Sequence, residues 1–500
     1  MKQIKIFFLS MAVCMVSSFI LPGCNNSSEK KADGKVTDIP ANTKSKDALA
    51  SFQQGLLSYD LGDNKKARAA FSKTIEQDPK FGIAYLYRAN LANSPKEFAD
   101  DANAGKANLD SASDWEKMYG DYQVAGLSGD RNKQVEILQK LAAAYPDAAR
   151  AQVELGNAYS GNNQFDKSRA CYQKATELDA KWVGGYGGLA NSYLFNDPKD
   201  LKKAEENAMK VVDMAPTSAG AEILVGDCYR AENDFQKAKD AYAKAVTLDP
   251  DSPDGYAKEG NANTYLGNIE EARKNFLDGS THDENNKLGY LVTTAFTYLY
   301  ANNDYKTAMK TLMDGAAKVD SASKNGASQK NNFLATCGAI AFHYNDAAML
   351  KQMAPMLQSL SEKLNNDLGT PEGKIFAKAD AMNWQVMIDI TDGKLDDAKA
   401  KVEEMKSALD PIKDDRKLEG YHYLMGMISM KQKKYADAVT HFEKADLTQI
   451  YNKYWLAMAN EAAGNKDKAT ALYKEVAAYN FNDVGNALVR GEVKKKLAMP

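Results

Sequence analysis

The chain has 500 residues, of which 44% are apolar and 26% charged, and its formal net charge at pH 7 is −3. Its glycines and prolines are scattered at turns, which excludes a low-complexity chain. The slightly acidic balance lacks the basic stripe that nucleic-acid binding requires, so we expect no nucleic-acid partner.

The chain begins with a predicted targeting segment. Two lysines precede an apolar run that is short for a membrane span, which is typical of a signal peptide over residues 1–23. The run ends in LPGC (21–24), which resembles a bacterial lipobox, although Pro22 departs from the usual small residue. The resemblance implies a lipoprotein with a lipidated Cys24. An ordinary cleaved signal peptide and an uncleaved anchor are the alternatives.

A tether is predicted to follow. Residues 24–46 are polar, mixed in charge and poor in apolar side chains, so they cannot bury a core and are predicted to be flexible. Acyl chains on Cys24 would anchor the chain in a membrane of the bacterial cell envelope. The acidic run that some surface lipoproteins carry after this cysteine is absent, which favours the periplasmic face of the outer membrane.

The unit of the fold is clearest between Ala219 and Ser252. A period near 3.6 places its apolar residues in two stripes, which predicts two short helices. Asp234 is the predicted N-cap of the second helix, and Pro250 ends that helix because the residue before a proline disfavours helical geometry. Small and aromatic residues alternate along the two stripes, which favours closely packed antiparallel helices.

The same hairpin recurs along the chain at a period of about 34 residues. Glu154–Ala180 repeats it with Gly156 and Tyr172, and Lys258–Gly279 repeats it with Gly260. This period and these residues resemble the tetratricopeptide repeat family closely. The resemblance implies an all-α fold, a superhelical solenoid of antiparallel helix pairs with about a dozen repeats.

We predict two arrays of such repeats. The N-terminal array covers residues 47–320, and a C-terminal array with a capping helix covers residues 333–500. The stretch 321–332 is the clearest break in apolar periodicity and is the predicted linker. The final helix, Asp483–Ala498, is polar enough to cap the open end of a solenoid.

Motifs for catalysis or metal binding were not found, so we predict no enzyme, no cofactor and no metal site. The histidines form no HExxH motif and no pair at metal-ligand spacing. They are His282, His343, His422 and His441. Cys171, Cys228 and Cys337 fall on or near apolar faces of separate hairpins and are predicted to be buried thiols.

One polar position recurs on the predicted first helices, directly after their small residue. It is occupied by Asn90, Gln123, Asn157, Asn191, Asp227 and Asn261. In tetratricopeptide arrays the first helices line the concave wall, and similar asparagine ladders occur in peptide-binding members, so the resemblance implies a partner-binding ladder. Carboxamides both donate and accept hydrogen bonds, which suits an extended peptide backbone. A solvated helix face is the alternative.

Methionine takes the equivalent position in the last three hairpins, at Met387, Met427 and Met458. Core packing is the main interpretation of these residues. An adaptable apolar groove is the alternative, because methionine side chains adjust to irregular partners.

The function we predict is that of a membrane-tethered scaffold that binds a protein or peptide partner in envelope assembly, secretion or cell-wall machinery. The alternative is a glycan- or nutrient-binding envelope lipoprotein of the starch-utilisation type. That family inserts long aromatic-rich loops, whereas this chain has short connectors and four tryptophans. A hydrolase within 333–374 is less favoured, because no nucleophile–base pair is found there. The oligomeric state is left open.

Overall fold

The computed structural model describes residues 38–284 and 286–499, and all regular structure within them is helical. The all-α, paired-helix class that the repeats predicted is confirmed. The predicted signal peptide, Cys24 and most of the tether lie outside the described residues. In the described part of the chain, no helix is long and apolar enough to cross a bilayer.

The helices fall into two compact units, the first of which extends through Lys258. Consecutive helices of this unit pack against each other as pairs. They are α1 (Lys46–Asp60), α2 (Asn64–Gln77), α3 (Gly82–Ala89), α4 (Pro95–Ala107), α5 (Asp114–Leu127), α6 (Arg131–Ala144), α7 (Ala149–Gly161), α8 (Phe165–Leu178), α9 (Val183–Phe195), α10 (Leu201–Met214), α11 (Ala219–Ala231) and α12 (Phe235–Leu248).

The second unit begins at Glu259, within α13. A 3₁₀ turn at Lys287–Gly289 precedes α15. The helices are α13 (Pro253–Leu266), α14 (Ile269–Thr281), α15 (Tyr290–Asn302), α16 (Tyr305–Lys318), α17 (Gly326–His343), α18 (Ala347–Asn366), α19 (Pro371–Thr391), α20 (Leu395–Ala408), α21 (Glu419–Lys431), α22 (Tyr435–Phe442), α23 (Ile450–Ala462), α24 (Lys466–Ala478) and α25 (Val484–Lys496).

The turn inside each hairpin is set by local sequence. Asn233 adopts a left-handed conformation with φ of 67°, which asparagine tolerates better than most residues. Asp234 then caps α12, as predicted, by accepting a hydrogen bond from the backbone N–H of Lys237. Aspartate caps α2, α6, α10, α16 and α18 in the same way.

A close approach between the two helices of a pair recurs in both units. A glycine on the first helix faces the ring of a buried aromatic residue sixteen positions later on the second, and a Cβ atom there would lie 2.4–2.6 Å from that ring. The pairs are Gly55–Phe71, Gly156–Tyr172, Gly226–Tyr242, Gly260–Phe276 and Gly426–Phe442. Glycine is required at these positions because no side chain fits between the helices.

A buried polar cluster joins helices that are far apart in the sequence of the N-terminal unit. At the start of α7, Arg150 donates to both carboxylate oxygens of Asp60 at the end of α1, over 2.6 and 2.5 Å. It also donates to Asp38 over 2.9 Å, and the Trp182 indole N–H donates to Asp60 over 2.8 Å. The cluster therefore ties α1 and the segment before it to α7 and to the start of α9.

Glu154, one turn after Arg150, extends this cluster to α3 and α5. It accepts hydrogen bonds from the hydroxyls of Tyr87 and Tyr119 over 3.0 and 3.5 Å, and the two tyrosine rings stack 4.9 Å apart. Burial raises the pKa of Glu154 to about 7, although Arg150 and the Tyr87 hydroxyl oppose the shift. The carboxyl group therefore changes charge near neutral pH.

The last helix, α25, lies differently from the end cap that the sequence predicted. It packs against α24 and also against α15, α17 and α23, which are first helices of their pairs. Eight of its 13 residues are buried, including Val489 and Val493, because its apolar stripe completes the core of the C-terminal unit. Asn486 also donates to the Tyr265 hydroxyl over 2.9 Å.

The predicted linker at 321–332 also differs in the structure. The helix α17 begins at Gly326, so most of this polar stretch is helical. Its polar residues obscured the helical period, but Ala327 is buried at the start of the helix. The two compact units divide at Lys258 instead.

Substitution of Gly226 tests the close approach between paired helices. We expect Gly226→Ala to lower the free energy of unfolding by about 1–3 kcal/mol, because the added methyl group would overlap the Tyr242 ring. Gly187→Ala is the matched control, since a Cβ there meets no atom within 4 Å. That change should raise stability by about 0.5–1 kcal/mol. Urea unfolding measures the stability of both variants. Equal changes in the free energy of unfolding would contradict a close contact at Gly226.

The pH dependence of stability tests the position of Glu154. Because its pKa is higher in the folded than in the unfolded chain, its stabilising contribution is complete below about pH 4.5 and is lost as the pH rises to about 7. Relative to the wild type, Glu154→Gln should therefore gain about 2–3 kcal/mol between pH 5 and pH 8. Urea unfolding at the two pH values measures this. Glu136→Gln, at a glutamate whose side chain is 46% exposed, should show no such gain.

Candidate functional site: the inner surface of the first helices

The first helices of successive pairs touch each other directly. In the N-terminal unit α3 contacts α5, α7 contacts α9, and α9 contacts α11. Side chains that point away from the second helices therefore lie on one shared inner surface. Five residues of the predicted ladder lie on first helices of this unit or at their ends, at 90, 123, 157, 191 and 227. The sixth, Asn261, lies on α13 in the C-terminal unit.

Two ladder residues bridge α3 and α5. Asn90 donates to the Tyr119 hydroxyl over 2.9 Å. Gln123 donates to the side-chain oxygen of Asn90 over 2.7 Å and to the Leu86 carbonyl over 3.0 Å. Gln123 is only 1% exposed, so this pair binds one hairpin to the next.

Asp227 forms an internal ion pair. It is buried and accepts hydrogen bonds from Tyr242 over 2.6 Å, from Lys258 over 2.6 Å and from Arg230 over 2.9 Å. Burial alone would raise the pKa of Asp227, but Lys258 and Arg230 lower it to about 2. The carboxylate is therefore ionised at neutral pH and held by two cations.

Asn261 is bonded to the C-terminal segment of the chain. Its side-chain oxygen accepts a hydrogen bond from Asn482 over 2.6 Å, just before α25. Further along α25, Glu492 accepts a hydrogen bond from the Tyr454 hydroxyl over 2.5 Å and lies 3.5 Å from His343. The segment 482–492 thus covers first-helix residues of the C-terminal unit.

The remaining two ladder residues belong to an accessible part of the inner surface. Asn157 on α7 accepts from the Tyr172 hydroxyl over 2.7 Å, and Asn191 on α9 donates to the Gly187 carbonyl over 2.9 Å. Both side chains are partly exposed, as is Val153 one turn before Asn157. A Cβ atom at Gly187 would meet nothing within 4 Å. We call these four residues, 153, 157, 187 and 191, the α7–α9 surface.

The methionines of the last hairpins are mostly in the core. Met387 and Met427 are each 3% exposed and belong to the hydrophobic cluster of the C-terminal unit. Met458 is half-buried, and its sulfur accepts a hydrogen bond from the Tyr473 hydroxyl over 3.0 Å. Packing in the hydrophobic core therefore explains the methionines at positions 387 and 427.

The cysteine prediction is confirmed for the three thiols in the described part of the chain. Cys171, Cys228 and Cys337 are free and buried. Burial raises the pKa of Cys171 to about 11 and that of Cys337 to about 12. These thiols are therefore protonated at neutral pH and poor nucleophiles.

Sequence reasoning missed one pair of histidines. His422 on α21 and His441 on α22 lie with their Nδ1 atoms 3.1 Å apart. They are nineteen residues apart in the sequence, so no motif links them. Their positions within the helix pair do bring them together, since each histidine lies within about one turn of the Gly426–Phe442 contact between the two helices. Among the residues that the structure describes, no group of three or more metal-ligating side chains is assembled.

Comparison with known families identifies the repeats. Sequence models of the tetratricopeptide repeat match residues 52–113, 149–181 and 223–252. All three segments are helix pairs of the N-terminal unit.

Two curated proteins show local similarity. Superkiller complex protein 3 of Mus musculus is 25% identical over 202 residues, which is 37% of this chain and 13% of that protein. Anaphase-promoting complex subunit 3 of Schizosaccharomyces pombe is 22% identical over 126 residues, which is 25% of this chain and 19% of that protein. The similarity thus spans less than a fifth of either relative.

Solved structures with similar helix pairs include yeast Tom70 and YrrB, the latter described as a TPR protein with an unusual peptide-binding site. Tom70 is 18% identical with a TM-score of 0.43, covering 87% of this chain and 92% of that one. YrrB is 20% identical with a TM-score of 0.27, covering 37% of this chain and 92% of that one. The matched segments show that the chain contains tetratricopeptide repeats in its N-terminal unit, and helix pairs recur through both units.

Proposed function

We propose that the chain is a scaffold that binds an extended segment of a protein partner on the α7–α9 surface. The observation that carries this proposal is the combination of two partly exposed amides, Asn157 and Asn191, with open space at Gly187. The absence of a side chain at Gly187 lets a peptide backbone approach α9 closely. The amides can then bond its N–H and C=O groups regardless of its side chains.

The distribution of internal contacts favours this surface over the rest of the ladder. Asn90 and Gln123 bond to each other, Asp227 is held by two cations, and Asn261 is bonded to Asn482. A ligand would have to break those contacts before it could bind, which costs affinity. At the α7–α9 surface, Asn157 bonds to Tyr172 within the same hairpin and Asn191 bonds to Gly187 within the same helix, so these bonds do not join one hairpin to the next. Val153 adds a partly exposed apolar side chain beside them.

The proposed cellular setting is supported by the N-terminal sequence alone. The lipobox-like LPGC (21–24) supports a lipid anchor at Cys24, and the polar residues after it support a tether to a membrane of the bacterial envelope. A peptide-binding scaffold in that position would hold a client protein for envelope assembly, secretion or cell-wall machinery.

The tryptophans do not favour the glycan-binding alternative. Sugar recognition of that kind uses aromatic faces exposed on loops. Trp115 and Trp384 are buried, and Trp182 is engaged with Asp60 and Arg150. Trp455 is half-buried within α23, against the core of the C-terminal unit.

Removal of the two amides tests the proposal. We expect the full chain with Asn157→Ala and Asn191→Ala to capture its partner at least about fivefold less well from detergent-solubilised envelopes. Each lost hydrogen bond weakens binding by about 0.5–1.5 kcal/mol. Capture is measured by affinity purification and quantitative mass spectrometry. Gly187→Leu should also abolish capture, because its side chain would fill the space that the peptide needs.

The matched control is Gln173→Ala, which removes an exposed amide from the second helix α8. It should leave capture unchanged. Equal capture by the wild type and the double-alanine variant would contradict the proposed surface, provided that both proteins unfold at the same urea concentration.

A further inference from the structure

The paired histidines of the C-terminal unit have ring nitrogens at about the spacing of two ligands to one ion. The Nδ1 atoms of His422 and His441 are 3.1 Å apart, with the ring planes inclined by 39°. Zinc–imidazole bonds are about 2.0–2.1 Å, so two nitrogens on one tetrahedral zinc ion lie roughly 3.3 Å apart. The observed separation is within a few tenths of an ångström of that value.

We propose that His422 and His441 form a binding site for a divalent transition-metal ion that prefers imidazole nitrogen, with Zn²⁺ as the representative. Neutral imidazole is the form that binds such ions, and it suits zinc, copper and nickel. Without metal, one Nδ1–H donates to the other Nδ1. With metal, each ring carries its proton on Nε2 and presents a lone pair at Nδ1, so no net proton transfer to solvent is required.

The surroundings keep both rings neutral. Burial lowers the pKa of His422 to about 4, with further contributions from His441, Lys444 and Lys406. Burial and then Lys444 also lower the pKa of His441, although Asp437 and Glu403 act in the opposite direction. Both rings are half-buried, so solvent ions have access to them.

The neighbouring helix α20 supplies charges of both signs. Glu403 accepts a hydrogen bond from the Tyr421 hydroxyl over 2.9 Å, and the Lys406 ammonium lies 5.1 Å from the centre of the Tyr421 ring. The lysines oppose binding of a cation and the carboxylates favour it. Because the described residues assemble no third protein ligand, the remaining coordination positions are open to water or to a side chain of a partner.

Calorimetric titration of the full chain with Zn²⁺, after removal of metal by a chelator, tests this site. We expect binding of one ion that is weakened at least about tenfold in His422→Gln and in His441→Gln, since each loses one of two ligands. His282→Gln, a histidine outside the pair, is the matched control and should bind like the wild type. Thermal unfolding of each variant checks that the fold is retained.

Lys444→Gln provides a gain-of-affinity test that a misfolded variant cannot imitate. Removing this positive charge should strengthen Zn²⁺ binding severalfold. The proposal is overturned if the wild type binds no Zn²⁺ up to about 1 mM. It is equally overturned if both histidine variants retain wild-type affinity, or if Lys444→Gln leaves the affinity unchanged.

Discussion

The contact on which both units depend is a glycine of one helix packed directly on an aromatic ring of the next. Gly226 against Tyr242 in the N-terminal unit and Gly426 against Phe442 in the C-terminal unit are equivalent in their sixteen-residue spacing. The missing side chain fixes how near the two axes come, and the buried ring fills the gap that remains. In the five hairpins with this contact, the short distance between the axes buries the side chains that lie between the two helices.

The inner surface that results is used differently in the two units. In the N-terminal unit, buried polar groups around Arg150 and Glu154 join several first helices and leave the α7–α9 surface accessible. In the C-terminal unit, α25 packs against the first helices with its own apolar stripe. A repeat array therefore need not offer a binding groove along its whole length, since internal contacts divide it into structural and accessible stretches.

Local features were predictable from the sequence, and contacts between distant repeats were not. The cap at Asp234, the close contact of Gly226 and the burial of Cys228 each depend on residues within a single hairpin. By contrast, Arg150 is hydrogen-bonded to Asp60, which is 90 residues away in the sequence. Asn482 is hydrogen-bonded to Asn261, which is 221 residues away. These contacts depend on how successive hairpins are rotated, which accumulates from small packing differences. The ladder positions were therefore visible in the sequence, whereas the partners of their side chains were not.

The most direct measurement is photo-crosslinking of the captured partner from a small diazirine amino acid at position 153 of the α7–α9 surface. An extended segment bound beside Asn157 would lie against this position. The account predicts a covalent adduct with the partner from position 153 and none from position 173 on α8. Adducts that form only from position 173, while position 153 gives none, would contradict binding at the inner surface.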